Sequence, residues 1–392
     1  MTEHLNVVVI GGGYAGVIAA NRLRLNGDVA ITLINPRPEF VERIRLHQLV
    51  TGSDDAVVAY PDILGEGINL VVDTAEHINA AARTVTLGSG DTVAYDYLIY
   101  AIGSKGATLT VPGAAEFAHP ISELEHAKPL RDAVAALPSD APVTIVGAGP
   151  TGIETASEMG EQGYAVTLVC GGPLGPYLSK PGRKAVAKRM RKLGVTVVDG
   201  PDTQVTEVRN GSVVLADGHE LASALTIWTA GFSVPDLAAR SGLATDAIGR
   251  LLTDETLTSV DNPYIVAAGD AAAPSDSPLR MSCQAAIPLG AQAANTVLSR
   301  IAGTAPAAVN QAFVGQCISL GRKGGTVQLA HLDDRVVPIY VGGRTAASIK
   351  EAVCKGTIWG LAREARKPGS YTWLKGGKRA ERLAGAKAAA VR

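Results

Sequence analysis

The chain has 392 residues, 46% of them hydrophobic and 19% charged, with a net charge of −1. That balance excludes a disordered chain, and nothing in it points to a nucleic-acid partner. The length exceeds what one core fills, so two or three domains are expected.

The 44 glycines suit a fold with many tight turns and close backbone approaches. Charge is unevenly spread. From Lys350 to Arg392 there are eleven Lys/Arg against three Asp/Glu, a net of +8, which leaves −9 on the rest. Such a tail suits an anionic lipid surface or an acidic partner. Cys170, Cys283, Cys317 and Cys354 show no CxxC and no metal-ligand spacing, so a reduced, cytoplasmic chain without a metal site is expected. No leader is read at the N-terminus, and no 18-residue apolar run is present to span a membrane.

In chain order, the β-branched run Leu5–Ile10 reads as a buried parallel strand. It stops at Gly11-Gly12-Gly13-Tyr14-Ala15-Gly16, and a helical pattern follows through Val17, Ala20 and Leu23. This is GxGxxG in its required setting, strand before and helix after. The glycines admit a pyrophosphate to the backbone at a helix N-terminus. The next strand, Ile31–Ile34, ends at Asn35 where an acid would bond a ribose hydroxyl; Asn35 can still bond one but carries no charge. Arg37 and Arg43 come next, then Arg45, His47 and Gln48. Arg43 and Arg45 suit the stabilisation of negative charge on a reduced cofactor, and His47 suits proton donation to a reduced acceptor. A surface helix is the competing reading of this segment.

The unit returns 136 residues later. Val143-Thr144-Ile145-Val146 leads into Gly147-Ala148-Gly149-Pro150-Thr151-Gly152 and a helix carrying Glu154. Its second strand, Val166–Val169, ends at Cys170-Gly171-Gly172 with no carboxylate to repel a 2′-phosphate, and Lys180, Arg183 and Lys184 lie downstream. Either NADH or NADPH therefore remains open at this site. Two complete units a domain apart specify two dinucleotide sites.

On these motifs the sequence resembles the two-dinucleotide-binding-domain flavoproteins of the FAD/NAD(P)-dependent pyridine nucleotide oxidoreductase superfamily. Within them it is most like type II NADH dehydrogenases and their NAD(P)H:quinone oxidoreductase relatives. Four more stretches carry the likeness. Tyr97–Ser104, with Ala101 and Gly103, is similar to the link leaving the FAD domain. Leu225–Phe232, with Gly231, resembles the return from the NAD domain. Asn262–Asp270 resembles the strand whose Gly269-Asp270 closes the FAD site, and Phe313–Arg322 opens a C-terminal domain.

The resemblance implies an α/β fold with two Rossmann-type domains, the NAD(P) domain (114–236) inserted between two parts of the FAD domain (1–113 and 237–304). A small α+β domain (305–392) would serve as an interface or membrane-docking module. It implies FAD and NADH or NADPH as cofactors, with Gly11, Gly13, Tyr14, Ala15, Gly16, Asn35, Arg37, Arg43, Ala101, Gly103, Gly269 and Asp270 at the first site. Gly147, Gly149, Thr151, Gly152, Cys170 and Gly231 would line the second, and Glu154 would approach the nicotinamide. With no Cys before Cys170, a thiol relay beside the flavin is unsupported.

A quinone is the first choice of acceptor. One departure weakens it: relatives place an AQxAxQ-like stretch by the flavin, and here Ser282–Pro288 keeps only the Gln284 amide. Ser348–Leu361 reads as an amphipathic helix whose Trp359 lies among bases, which suits peripheral contact with the inner face of the cell membrane. Packing on the protein itself is the plainer reading. A homodimer is expected on base rate. The alternatives are a reductase of a ferredoxin- or rubredoxin-type carrier, or a non-enzymatic NADH-responsive flavoprotein resembling apoptosis-inducing factor.

Overall fold

The computed structural model describes residues 5–138 and 140–390. The first four residues, part of the segment read as leaderless, and Arg392 of the basic tail lie outside them.

Two five-stranded parallel sheets organise the chain. In the first, the order is Ile265–Ala267, Tyr97–Tyr100, Leu5–Ile10, Val29–Asn35 and Ile68–Val72. Strand Leu5–Ile10 is central, and its Val7 and Val9 are fully buried, as expected for a strand covered on both faces. In the second sheet the order is Ala118–Pro120, Leu225–Trp228, Pro142–Val146, Ala165–Val169 and Thr196–Val198. A strand from residues 265–267 thus completes a sheet begun at residue 5, while the second sheet is built from the chain between them. Two short antiparallel strands, Lys105–Gly106 and Phe232–Ser233, pair where the chain passes between the sheets.

A three-stranded antiparallel sheet, Gly315–Ser319, Gly325–Ala330 and Val336–Gly342, leads into the 24-residue helix Gly343–Arg366. The sequence foresaw 348–361 of that helix. The helix buries Ala346, Cys354, Thr357, Leu361 and Glu364, a stripe at helical spacing, so much of it packs on the protein. Its anchor is an ion pair between Arg22 and Glu364 at 3.0 Å, with both side chains almost fully enclosed. Glu364 also accepts backbone N–H bonds from Gly369 and Tyr371, and Arg22 donates to the Tyr371 carbonyl. These bonds satisfy both charges; removing either partner would strand a buried ion at a cost of about 3–5 kcal/mol. The helix is thereby held against the helix Tyr14–Leu23, on which the helix Cys283–Ile301 also packs. Small residues set that second approach: a Cβ on Gly290 would lie 2.1 Å from the Ala15 carbonyl oxygen.

Candidate active site

Both glycine loops have the same backbone logic. Gly11 and Gly147 take φ of +101° and +125°, where an L side chain is strained. A Cβ on Gly16 would lie 1.8 Å from the Gly11 oxygen, and one on Gly152 2.0 Å from the Gly147 oxygen. The middle glycines differ from these. A Cβ on Gly13 or Gly149 would meet nothing within 4 Å, so each opens onto space at its helix N-terminus. Those are the places where a diphosphate can come close.

The first loop opens into a cavity of about 440 Å³ lined by Gly11–Ala15, Asn35, Arg37, Arg43, Ala101, Gly103, Gly269, Asp270 and Ala286, among others. Asn35 fastens its floor: Oδ1 accepts the Gly12 N–H at 2.9 Å and Nδ2 donates to the Arg37 carbonyl at 2.8 Å. The Tyr60 hydroxyl donates to the Gly12 carbonyl. At the rim Arg37 pairs with Glu125 at 2.6 Å, and Arg43 donates to the Ser104 and Ser122 carbonyls and the Ser104 hydroxyl.

Two buried polar atoms in this wall lack partners, Asp270 Oδ1 and the Tyr14 hydroxyl; the other Asp270 oxygen takes a bond from Ser104 at 2.8 Å. An unpaired buried polar atom is costly, and a ligand bearing hydroxyls would satisfy both. Glycine loop, helix terminus, cavity and orphaned acceptor together fit FAD. Ala101, Gly103 and Gly269, the last with φ of +68°, line the same cavity.

The second loop repeats this arrangement around Gly147–Gly152. Thr151 stands in the first turn of the helix Pro150–Glu161, and Gly231 takes φ of +81° just beyond the strand Leu225–Trp228. Cys170 follows the strand Ala165–Val169, with the thiol pushed up to about 12 by burial and by Asp199 nearby, so it stays protonated. Asp199 is a carboxylate that sequence reading did not place near this strand end.

Behind the Tyr14 wall lies a charged junction that the sequence disclosed only in part. Glu154 is buried; its Oε1 pairs with Lys350 Nζ at 3.0 Å and accepts the Ser319 N–H at 2.9 Å. Burial opposes its ionisation, but the Lys350 ammonium and the Ser319 N–H hold its carboxyl below the usual range. Burial likewise disfavours the Lys350 charge, and Glu154 more than compensates, so the ammonium is retained. His47, 2% exposed, sits between Glu154 Oε2 at 3.7 Å and Glu158 Oε2 at 3.5 Å. Burial lowers its imidazole to about 4 and keeps it neutral.

None of the four residues expected to be catalytic lines the cavity: Glu154 and His47 lie in the junction, and the other two stand elsewhere. Arg45 does not line the cavity; it is buried among Glu42, Gln48, Asp54 and Glu351. Its charge is spent on those partners, and a direct contact with a flavin is not what the geometry offers. Gln284 is half-buried near the start of its helix, with its carbonyl taking the Gln311 side chain, and it too is outside the cavity lining.

Sequence reasoning missed Lys350, Glu158 and Ser319 as site residues. Lys350 carried a signal: it falls on the buried stripe Ala346–Cys354–Thr357–Leu361, four residues from each of the first two. The cysteines also gather. Cys283, Cys317 and Cys354 all lie within electrostatic reach of Lys350, and burial raises each thiol. All are free thiols, and among the described residues no group of His, Cys, Asp and Glu could hold a metal ion.

The comparisons with known proteins agree with this geometry. The sequence pattern of the pyridine nucleotide-disulphide oxidoreductases matches residues 5–312, and the chain belongs to that family. It is 32% identical over 325 residues to a NADH dehydrogenase-like protein of Mycobacterium tuberculosis, covering 75% of this chain and 80% of the relative. It is 30% identical over 347 residues to a type II NADH:quinone oxidoreductase of the same organism, covering 77% and 74%. In fold it matches the sulfide:quinone oxidoreductase of Aquifex aeolicus with a TM-score of 0.79 over 92% of both chains, at 21% identity. The protein is an NAD(P)H-dependent flavoprotein oxidoreductase, with FAD and a pyridine nucleotide as cofactors.

Proposed function

We propose that the external acceptor is a quinone, reduced beside the Glu154–Lys350 pair. When bound, FAD would take a hydride from the nicotinamide nucleotide and pass two electrons on. The carrying observation is the buried ammonium of Lys350, held at 3.0 Å by Glu154. Tyr14, in the cavity wall, is within electrostatic reach of Cys283 and Cys354, and both thiols are within reach of Lys350. A cation so placed can bind a carbonyl oxygen and give it a proton as it gains charge. The similarity to a relative named as a type II NADH:quinone oxidoreductase supports the same choice.

The chain between the two parts of the first sheet would hold the nucleotide, with Gly147, Gly149, Thr151, Gly152, Cys170 and Gly231 around it. Gly11, Gly13–Gly16, Asn35, Arg37, Arg43, Ala101, Gly103, Gly269 and Asp270 would hold FAD. With no carboxylate on the Cys170–Gly172 turn itself, both NADH and NADPH would be accepted. The protein would work in the cytoplasm as a homodimer peripheral to the membrane. Exposed Trp359, with Arg363 5.2 Å from its ring, and exposed Ile349 and Val353 give the helix Gly343–Arg366 an apolar outer face with basic flanks. Among the described residues no helix is long and apolar enough to cross a membrane.

The test is rapid mixing of the NADH-reduced protein with a short-chain ubiquinone or menaquinone without oxygen. Oxidation faster than by dioxygen is expected. A quinone no faster than dioxygen would overturn the assignment.

A further inference from the structure

Reduction of a quinone to a quinol takes two electrons and two protons, while a hydride brings two electrons and one proton. One proton per turnover must therefore come from water, and an acceptor bound beside the enclosed Glu154–Lys350 pair would take it through the protein. The junction behind the cavity contains a chain of groups that runs from the surface to Lys350.

At the outer end, exposed Ser53 donates to Glu158 Oε1 at 2.5 Å, and the half-exposed Arg322 lies 3.8 Å from the same oxygen. The second Glu158 oxygen is buried, without a hydrogen-bond partner, and faces His47 Nε2 at 3.5 Å. The other ring nitrogen faces Glu154 Oε2 at 3.7 Å, and Glu154 is paired with Lys350. Ser319 from the adjoining strand reaches His47 Nε2 at 3.5 Å and Glu154 through its N–H. The charged groups around the ring are thus Glu154 and Glu158 from the second glycine helix, Lys350 from the C-terminal helix, Arg322 from the turn after Ser319, and Arg45 from its own segment. Such spacings in a protein without substrate tighten when the reacting complex forms.

We propose that His47 is a proton relay, accepting a proton at Nε2 from Glu158 while passing the one on Nδ1 to Glu154, which reprotonates Lys350. The proposal rests on the quinone-reducing reading above. The protons balance: Lys350 loses a proton to the reduced acceptor, His47 gives its Nδ1 proton to the ionised Glu154, which passes it to Lys350, Glu158 gives one to Nε2, water refills Glu158, and a ring flip restores the Nδ1–H form before the next turnover. The direction suits the relay. Burial raises the Glu158 carboxyl, which favours proton uptake at the solvent end, while Glu154 next to Lys350 stays ionised. A neutral imidazole with two faces can carry a proton through without becoming a buried cation.

The test uses the full-length holoenzyme with His47→Gln and, separately, Glu158→Gln. Each is reduced anaerobically with NADH and mixed with short-chain ubiquinone, or with ferricyanide, which takes electrons without protons. Oxidation of the reduced protein by quinone should slow roughly 100-fold in His47→Gln and recover in part as pH falls, with its oxidation by ferricyanide changed by less than about twofold. A readout independent of turnover is the infrared carboxyl band that grows in the oxidised protein as pH falls through the raised Glu158 titration, which should disappear in Glu158→Gln. Should His47→Gln fail to hold flavin, Glu158→Gln decides alone. Wild-type rates and pH profiles in the variants, or a band that persists in Glu158→Gln, would overturn the relay and leave the acceptor assignment standing. A wild type inert to quinone would overturn both.

Discussion

The two glycine loops share their turn, their positive φ and the close approach of their last glycine, yet the helices behind them do opposite things. In the helix Tyr14–Leu23 all ten residues are buried and none is acidic; apart from Asn21 and Arg22, which bond the C-terminal helix, it is a wall. In the helix Pro150–Glu161 the buried stripe includes Glu154 and Glu158, which leave the nucleotide fold and enter the charged junction. The same local geometry is therefore backed in one case by an apolar wall and in the other by two carboxylates that reach a third part of the chain. The helix behind each loop, rather than the glycines themselves, sets its role.

The sharpest way to separate the two loops is at their middle glycines, where a side chain strains nothing in the protein and blocks only the ligand. Gly13→Val should fold and lose flavin. Gly149→Val should keep flavin and weaken NAD(P)H binding by roughly 100-fold, about 2.7 kcal/mol. Flavin absorbance and nucleotide titration check both. Loss of flavin in Gly149→Val would show that the two sites are not independent.

A smaller effect should appear in stability, and only on the acid-bearing side. His47 has an ordinary value of 6.5 and is lowered to about 4 in the folded protein. Between these values the unfolded chain binds a proton that the folded chain refuses, so stability falls as pH drops from about 6.5 towards 4. Thermal unfolding across that window should fall more steeply for wild type than for His47→Gln. Parallel profiles would mean that the imidazole is already charged in the fold.

The sequence made the parallel sheets and both loops legible because their signals are local: β-branched runs, glycines at fixed spacing, an apolar helix behind each. The Gly269–Asp270 position was legible only through family likeness, and its orphaned carboxylate oxygen now gives it a physical reason. The junction was not legible because it is tertiary. Lys350 is 196 residues from Glu154, and only the fold of the small sheet and its long helix brings them to 3.0 Å. Arg45 shows the reverse failure. A basic residue near a cofactor loop invites an electrostatic role, but Glu42, Asp54 and Glu351 already neutralise it. Charges on a buried helical stripe, such as Lys350 and Glu364, were the available sign that the C-terminal helix does more than face outward.

That one chain joins a nicotinamide nucleotide to FAD and then to a quinone is tested most directly by anaerobic stopped-flow absorbance. The purified flavoprotein is mixed first with NADH and with NADPH, then with a short-chain quinone. Bleaching of the flavin by either nucleotide, and its rapid return on mixing with quinone, is the predicted result. A flavin that neither nucleotide bleaches would contradict the account.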